Sequence, residues 1–289
     1  MKAARFYGPN TPLRIEEVPI PEVGPKDVLV KVKASGICGS DLHALHGAFP
    51  EMPVPVTMGH ECAGIVEEVG EEVTTLSEGD RVCMDYVVSC GYCEYCSRGN
   101  NNLCDSLLTV GFELDGSFAE YVCLPEKQFL KLPKNIPFDE GAILGCAVVT
   151  PYHALRMAEV RAGDHVAIYG AGGVGIHAVQ LARIFGASRL IVVEVSEYKL
   201  KTASELGADE TVNALEEDPV KRIKEETGGK GCDVVLVFTG SRKAVEQALR
   251  SVKKGGRVVL VGYCREPVSL DAMEFMSNEI QLRSSIEHN

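Results

Sequence analysis

The stretch IYGAGGVGIHAV, residues 168–179, decides how the second half of the chain folds. An apolar run ends at Tyr169, the glycines Gly170, Gly172 and Gly175 follow in the spacing GxGxxG, and an amphipathic segment begins at once. Glycine at those positions lets the backbone turn tightly and approach a bound group, while the start of a helix points free N–H groups at an anion. Standing alone the spacing is weak; between a strand and a helix it reads as a pyrophosphate cradle formed by Gly170, Gly172, Gly173, Val174 and Gly175. Glu194 closes the next apolar run, 19 residues beyond Gly175, where a carboxylate can accept hydrogen bonds from an adenosine ribose. The plain alternative is a turn ahead of a packing helix with Glu194 solvated; the strand-turn-helix context favours the cradle.

Working outward, the apolar runs HVAIYG (165–170), RLIVVE (189–194), TVNA (211–214), VVLVFTG (234–240), RVVLVG (257–262) and EIQLRSSI (279–286) alternate with helical stretches such as GIHAVQLARIFG (175–186). Continuous apolar strands between helices indicate a parallel sheet covered on both faces, and six is the strand count of a complete dinucleotide-binding sheet. Upstream of Thr150 the pattern differs. In VLVKVK (28–33), Val28, Val30 and Val32 share one face and Lys31 and Lys33 the other, the period of a half-buried strand. Shorter runs at 64–69, 81–84 and 118–124 lie between Gly, Pro and Asp turn signals. A β-rich, irregular domain over residues 1–149 is therefore expected ahead of a nucleotide-binding domain over 150–289, and 289 residues leave room for both cores.

Composition narrows the function. Hydrophobic residues make up 45% and charged residues 24%, the balance of a soluble globular protein. A formal net charge of −12 argues against a nucleic-acid partner, because phosphate binding needs a positive footprint. No apolar run approaches the roughly 18 residues of a membrane span, and residues 1–14 lack the basic-then-apolar pattern of a signal peptide, so no membrane partner and a cytoplasmic location are expected. Eleven cysteines, an odd number, make an awkward disulfide framework; clustered thiols in a reducing compartment are more often metal ligands or catalysts.

Four of them fall in CGYCEYCSRGNNNLC (90–104). Cys90, Cys93, Cys96 and Cys104 follow CxxCxxCx7C, a spacing that lets one loop wrap four thiolates tetrahedrally around an ion with no open position, the signature of a structural zinc site. A redox pair needs only two cysteines at a helix start, and four are surplus. Chemistry is better sought in GICGSDLH (36–43) and MGHECAG (58–64), where Cys38 and His60 could supply two of the three protein ligands a catalytic zinc keeps. On the residues alone Cys38 remains open to being a buried thiol and His60 a structural hydrogen-bonder.

These motifs together resemble the zinc-dependent medium-chain alcohol dehydrogenase family, which includes polyol and threonine dehydrogenases, over essentially the whole chain. GHECAGIVEEVGEEV (59–73) fits the family's zinc signature GHExxGx5GxxV throughout. The resemblance implies an α/β protein: a β-rich GroES-like catalytic domain followed by a six-stranded doubly wound Rossmann domain. It implies Cys38 and His60 as catalytic zinc ligands, Glu61 as an alternate ligand or a neighbour of the ligands, and Cys146, in ILGCAVVTPYHAL (143–155), as the third ligand. It further implies that Ser40 touches the alcohol oxygen, that His43 passes the proton to solvent, and that Asp41 orients His60 through its other ring nitrogen. Thr150 should meet the nicotinamide, Val261 and Gly262 the cofactor, Lys199 the adenosine ribose, and Tyr86 either the substrate pocket or the core.

The activity implied is hydride transfer between a secondary alcohol or polyol, or its ketone, and NAD, with one catalytic and one structural zinc per chain. A homodimer or homotetramer is implied, paired through the sixth strand. Family members continue for several dozen residues beyond that strand, so the usual C-terminal completion of the catalytic domain is expected to be absent. The rival readings are a zinc- and nucleotide-binding sensor without turnover, a truncated inactive dehydrogenase and a zinc-free quinone reductase; the set Cys38, Ser40, His43, His60 and Cys146 favours the zinc enzyme. His153, His165 and His177 lie away from the ligand motifs, the acidic run NALEEDP (213–219) reads as a solvated face, and Cys62, Cys83, Cys123, Cys232 and Cys264 read as small buried side chains.

Overall fold

Val166, Ile168, Leu190, Val192, Val234 and Leu236 pack into one hydrophobic cluster, whereas their alternate neighbours Ala167, Tyr169, Ile191, Val193, Val235 and Val237 pack into another. Successive side chains of a strand point to opposite faces, so strands covered on both sides must be apolar throughout. The computed structural model describes residues 1–288, which divide into two compact units, Met1–Val149 and Thr150–His288. Among the described residues no helix is long and apolar enough to cross a membrane.

The second unit is built on six parallel strands: His165–Tyr169, Arg189–Glu194, Glu210–Asn213, Cys232–Val237, Val252–Leu260 and Gln281–Ser284. In space they lie in the order third, second, first, fourth, fifth, sixth. The first strand therefore has the second on one side and the fourth on the other, with Ile168 in register with both Val192 and Leu236. This reversal of direction opens a crevice at the carboxyl end of the first strand, where Gly170–Gly175 turns into helix Gly175–Ile184. That helix buries Ala178, Val179 and Ala182 on one face of the sheet; helix Arg242–Ser251 buries Val245, Ala248 and Leu249 on the other. Gly175 is required by contact: a Cβ there would stand 2.0 Å from the carbonyl oxygen of Gly170.

One polar pair crosses this apolar interior. Tyr169, 1% exposed, lies with its hydroxyl 2.6 Å from Ser251 Oγ, and Ser251 donates its own proton to the Gln247 carbonyl at 2.8 Å, so Tyr169 is the donor. Tyr169→Phe should lower the free energy of unfolding by about 1 kcal/mol, read as a lower urea midpoint at unchanged slope. An unshifted midpoint would show that the bond contributes nothing net.

The first unit centres on an antiparallel five-stranded sheet in the order Phe129–Lys131, Arg81–Met84, Glu61–Val69, Asp27–Gly36, Tyr121–Pro125. Val28, Val30, Val66, Val82, Met84, Val122 and Leu124 form its core. A three-stranded sheet (Arg14–Glu17, Lys2–Phe6, Val56–Thr57) and a two-stranded ribbon (Val87–Val88, Leu108–Thr109) complete it. The strand expected at 118–124 begins only at Tyr121, because Phe118 is used elsewhere: its N–H donates to the Met58 carbonyl at 2.8 Å. Two corrections concern cysteines. Cys62, Cys83 and Cys232 are buried, but Cys123 and Cys264 are half-exposed, the first on an edge strand and the second in the turn after the fifth parallel strand.

Candidate metal centres and nucleotide turn

The ribbon Val87–Val88 with Leu108–Thr109 clamps both ends of the cysteine loop. Within it, the sulfurs of Cys90, Cys93, Cys96 and Cys104 all lie within 4.8 Å of one another, and all are free thiols. Backbone N–H groups aim at them: Cys90 N–H donates to Cys104 Sγ (3.3 Å), Cys93 N–H to Cys90 Sγ (3.4 Å), Cys96 N–H to Cys93 Sγ (3.5 Å) and Ser106 N–H to Cys104 Sγ (3.4 Å). Such bonds favour the thiolate. The Cys96 N–H is the chief reason that Cys93 is drawn down to about 6, and the Cys90 N–H the chief reason that Cys104 is lowered. Burial, followed by the other sulfurs, pushes Cys96 up to about 11. Four thiolates this close repel one another, and a central divalent cation removes the conflict; the donor set fits a closed zinc site.

The other cluster draws on three separate segments. The Sγ atoms of Cys38 and Cys146, a ring nitrogen of His60 and a Glu61 carboxylate oxygen lie within 4.8 Å of one another. Cys38 is the N-cap of helix Gly39–Leu45, where Asp41 Oδ2 accepts its N–H at 2.8 Å. The other Asp41 oxygen lies 3.4 Å from His60 Nδ1, and neither atom has a hydrogen-bond partner of standard geometry. With Nδ1 turned to Asp41, His60 keeps Nε2 for the cluster. Gly59 makes the turn that presents it: its φ is +96°, and a Cβ there would stand 2.5 Å from Phe118 Cδ1. His60 itself is 2% exposed, against the rings of Tyr86 (5.1 Å between centroids) and Phe112 (5.4 Å).

The electrostatics are compatible with a cation site. Cys38 is drawn down to about 3, chiefly by a hydrogen bond from Cys146 and further by His60, against the opposing effect of burial. Burial works against a charged His60, yet Asp41 and Cys38 together outweigh it and raise the imidazole to about 10. Burial, reinforced by the Cys38 thiolate, lifts Glu61 to about 7. Without a metal, the cluster thus holds a thiolate beside an imidazolium, the proton supplying the positive charge that an ion would bring. Two sulfurs, an imidazole and a nearby carboxylate are a donor set that zinc accepts.

Ser40 and His43 ride the helix that Cys38 caps. Ser40 Oγ is 3.9 Å from Cys38 Sγ, and His43, one turn on, is exposed. Tyr86 is buried against His60, which places it in the packing of the cluster.

In the second unit, Gly172 and Gly173 border open space: a Cβ on either would meet nothing within 4 Å. Among the described residues the N–H groups of Gly172, Gly173 and Val174 donate to no protein acceptor, as an anion cradle requires. Glu194 closes the turn from below, accepting from Ala171 N–H at 2.9 Å and Val195 N–H at 2.8 Å, with Lys199 Nζ 3.7 Å away. Both N–H groups of Val261 and Gly262 donate to the Val237 carbonyl, so only their other atoms can face a ligand. Thr150 carries a buried hydroxyl without a hydrogen-bond partner. The Gly59–Phe118 contact and the Glu194–Ala171 bond had no signal in local spacing, since each depends on how distant segments meet.

The family described as alcohol dehydrogenase GroES-like domain matches residues 24–134, and that described as zinc-binding dehydrogenase matches residues 173–289. An alcohol dehydrogenase of Geobacillus stearothermophilus is 40% identical over 288 residues, spanning 99% of this chain and 85% of its own. An NAD-dependent alcohol dehydrogenase of Sulfurisphaera tokodaii is 36% identical over 298 residues, spanning 100% and 86%. A protein of Sinorhizobium meliloti 1021, whose crystal structure holds NADP, superposes with a TM-score of 0.94 at 38% identity, covering 99% of this chain and 84% of its own.

Proposed function

Because the chain belongs to the zinc-dependent medium-chain alcohol dehydrogenase family, with a GroES-like domain ahead of a Rossmann-like domain, we propose that it transfers hydride between a secondary alcohol or polyol, or the matching ketone, and NAD. Residues 1–149 serve as the catalytic domain and 150–289 as the NAD-binding domain. The observation that carries this reading is the meeting of Cys38, His60, Glu61 and Cys146 in one cluster, with Ser40 on the adjoining helix. A closed site would need no such neighbour.

A bound zinc would supply a Lewis acid toward the alcohol or carbonyl oxygen, and a bound nicotinamide would supply the hydride acceptor or donor. The chain's own residues do the rest. Cys38, His60 and Cys146 would hold the ion, and Asp41 would keep the His60 proton on Nδ1. Ser40 would accept the hydroxyl proton as it passes its own on toward His43, and the exposed His43 would release one to water. The free amides of Gly172, Gly173 and Val174 cradle the pyrophosphate, Glu194 and Lys199 the adenosine ribose. The strand Gln281–Ser284 lies at the edge of its sheet, the place for a second copy in a homodimer or homotetramer. Eleven free thiols suit a reducing cytoplasm.

The test is NAD reduction across a panel of secondary alcohols and polyols, with zinc counted by elemental analysis. Zinc-replete protein that reduces NAD with none of them would defeat the reading. His43→Ala should depress turnover most at and below neutral pH, where hydroxide is scarce as a substitute proton acceptor. An equal loss at every pH would assign His43 a positional role instead.

Cofactor choice rests on charge. The Glu194 carboxylate repels a 2′-phosphate, which should favour NAD over NADP by at least roughly tenfold. Glu194→Ala would also remove both acceptor bonds to Ala171 and Val195, so Glu194→Gln is the cleaner change. It should narrow the gap mainly by improving NADP, measured by fluorescence titration at low salt. Equal affinity for the two cofactors in the unmutated protein would refute the assignment.

A further inference from the structure

Most of the metal cluster is carried by the five-stranded sheet: Cys38 lies just beyond strand Asp27–Gly36, and His60 and Glu61 stand at the start of strand Glu61–Val69. Cys146 is attached differently. It follows a short helical turn, Ile143–Gly145, which continues helix Phe138–Ala142 and packs on strands Glu61–Val69 and Arg81–Met84. Where the Cys146 sulfur sits therefore depends on how close that turn lies to the sheet. Leu144 anchors the turn among Ala63, Cys83, Leu132 and Ala142. Gly145 sets the distance. It is not among the residues with positive φ, so its backbone does not call for glycine. What calls for glycine is contact: a Cβ there would stand 1.9 Å from the Met84 carbonyl oxygen and 3.1 Å from its carbon. That carbonyl has little room to retreat, because Met84 is buried and its strand is paired on both sides.

We infer that Gly145 is a positioning residue for Cys146: its missing side chain lets the turn settle onto the Met84 carbonyl, and this brings the Cys146 sulfur to within 4.8 Å of the donors of Cys38, His60 and Glu61. The inference rests on reading Cys38, His60 and Cys146 as the ligands of the catalytic zinc. To reach an ordinary contact, a methyl at position 145 must lift the turn from the sheet by roughly an ångström or more. Cys146, the next residue, moves with the turn, whereas the other donors stay with the sheet. A zinc–sulfur bond of about 2.3 Å does not stretch that far, so the lifted sulfur lets go of the ion.

Cobalt(II) exchanged into this cluster, with the loop's zinc left in place, reports each bound sulfur through thiolate-to-metal charge-transfer absorption in the near ultraviolet. Gly145→Ala should lose about half of that absorption, as Cys146→Ala does, and release the cobalt to EDTA roughly tenfold faster, within the range that residues around a metal's ligands command. Introduced into Cys146→Ala, the same methyl should change neither absorption nor release, because no sulfur is left to withdraw. Should Gly145→Ala fail to fold, Leu144→Ala, which removes the turn's anchor without adding a clash, should show the same two losses and the same silence in the Cys146→Ala background. Absorption and release like the parent's, an equal acceleration in the Cys146→Ala background, simultaneous loss of the loop's zinc, or misfolding of both variants overturns the inference. A parent protein that takes up no cobalt at this cluster, or whose absorption Cys146→Ala leaves unchanged, would instead sink the reading of the catalytic site on which it rests.

Discussion

Cys38→Ala should leave a folded protein that holds one zinc instead of two and turns over at least about a thousandfold more slowly, close to 4 kcal/mol of barrier. Fold should survive because the change removes only a sulfur: Asp41 bonds the backbone N–H of residue 38, which alanine retains, and the helix keeps its start. The cysteine loop shares no ligand with this cluster, so its zinc should remain. Elemental analysis, circular dichroism and a steady-state assay on one preparation check all three statements. A variant with both metals, or with near-normal turnover, would show that Cys38 is not a ligand.

The same cluster sets the sign of a pH effect. In the metal-free chain the His60 pKa is raised from 6.5 to about 10. Its proton therefore stabilises the metal-free fold fully below the lower value, and that contribution fades as pH climbs through the upper one. Zinc must displace this proton. Affinity at the site should accordingly rise with pH between those limits, by close to tenfold per unit for the His60 proton and more steeply where the thiol proton that Cys146 donates to Cys38 is displaced as well, whereas Cys38, already a thiolate at about 3, adds no slope there. Competition titrations against a chelator at several pH values report the slope directly, and a flat or falling affinity would contradict the pairing of His60 with Cys38 and Asp41.

Cys104→Ala should act on the fold instead of the reaction. Cys104 is buried and accepts N–H groups from Cys90 and Ser106, so its removal withdraws one of four candidate zinc ligands and leaves two donors without their acceptor. The loop has little else to hold it: Tyr92 is 83% exposed, and neither short helical turn, Cys96–Arg98 nor Asn101–Leu103, buries an apolar side chain. Where a core is missing, metal binding is folding energy. We expect the loop's zinc to be lost, its amides to exchange freely between Val88 and Leu108, and the first unit to lose on the order of 3 kcal/mol or more. Native-state hydrogen exchange and a denaturant titration measure both. Amide protection as strong as in the parent would show that packing, not metal, holds the loop.

What was legible in the sequence follows the range of the physics. The four cysteines of the loop stand out as candidate ligands by spacing, because a chain of that length can wrap one ion without help from any other segment. Strand and helix in the second unit follow from periodicity, since a strand buried on two faces can carry no polar alternation. All six parallel strands were thereby expected, and the glycine turn was expected at the end of the first. Spacing could not register the helices Gly39–Leu45 and Phe138–Ala142, which are too short to show a period. Cysteines 123 and 264 looked like core residues because residue type alone does not reveal an edge or a turn.

The four-donor cluster required tertiary structure. Cys38, the pair His60–Glu61 and Cys146 lie on segments far apart in the chain, and only the antiparallel register that sets Gly36 opposite Glu61 brings the first two segments together. Motif resemblance named these residues as ligands, but no local pattern encodes their mutual distances. Nor could it show that Gly145 lies against the Met84 carbonyl, or that Glu194 supports the glycine turn through the N–H of Ala171. Local sequence determines which residues are chemically able to serve, since ligand type, turn geometry and periodicity act over a few residues. Which of them share a site, and in what charge state, is decided by packing, because burial and neighbouring charges exist only once distant segments have met.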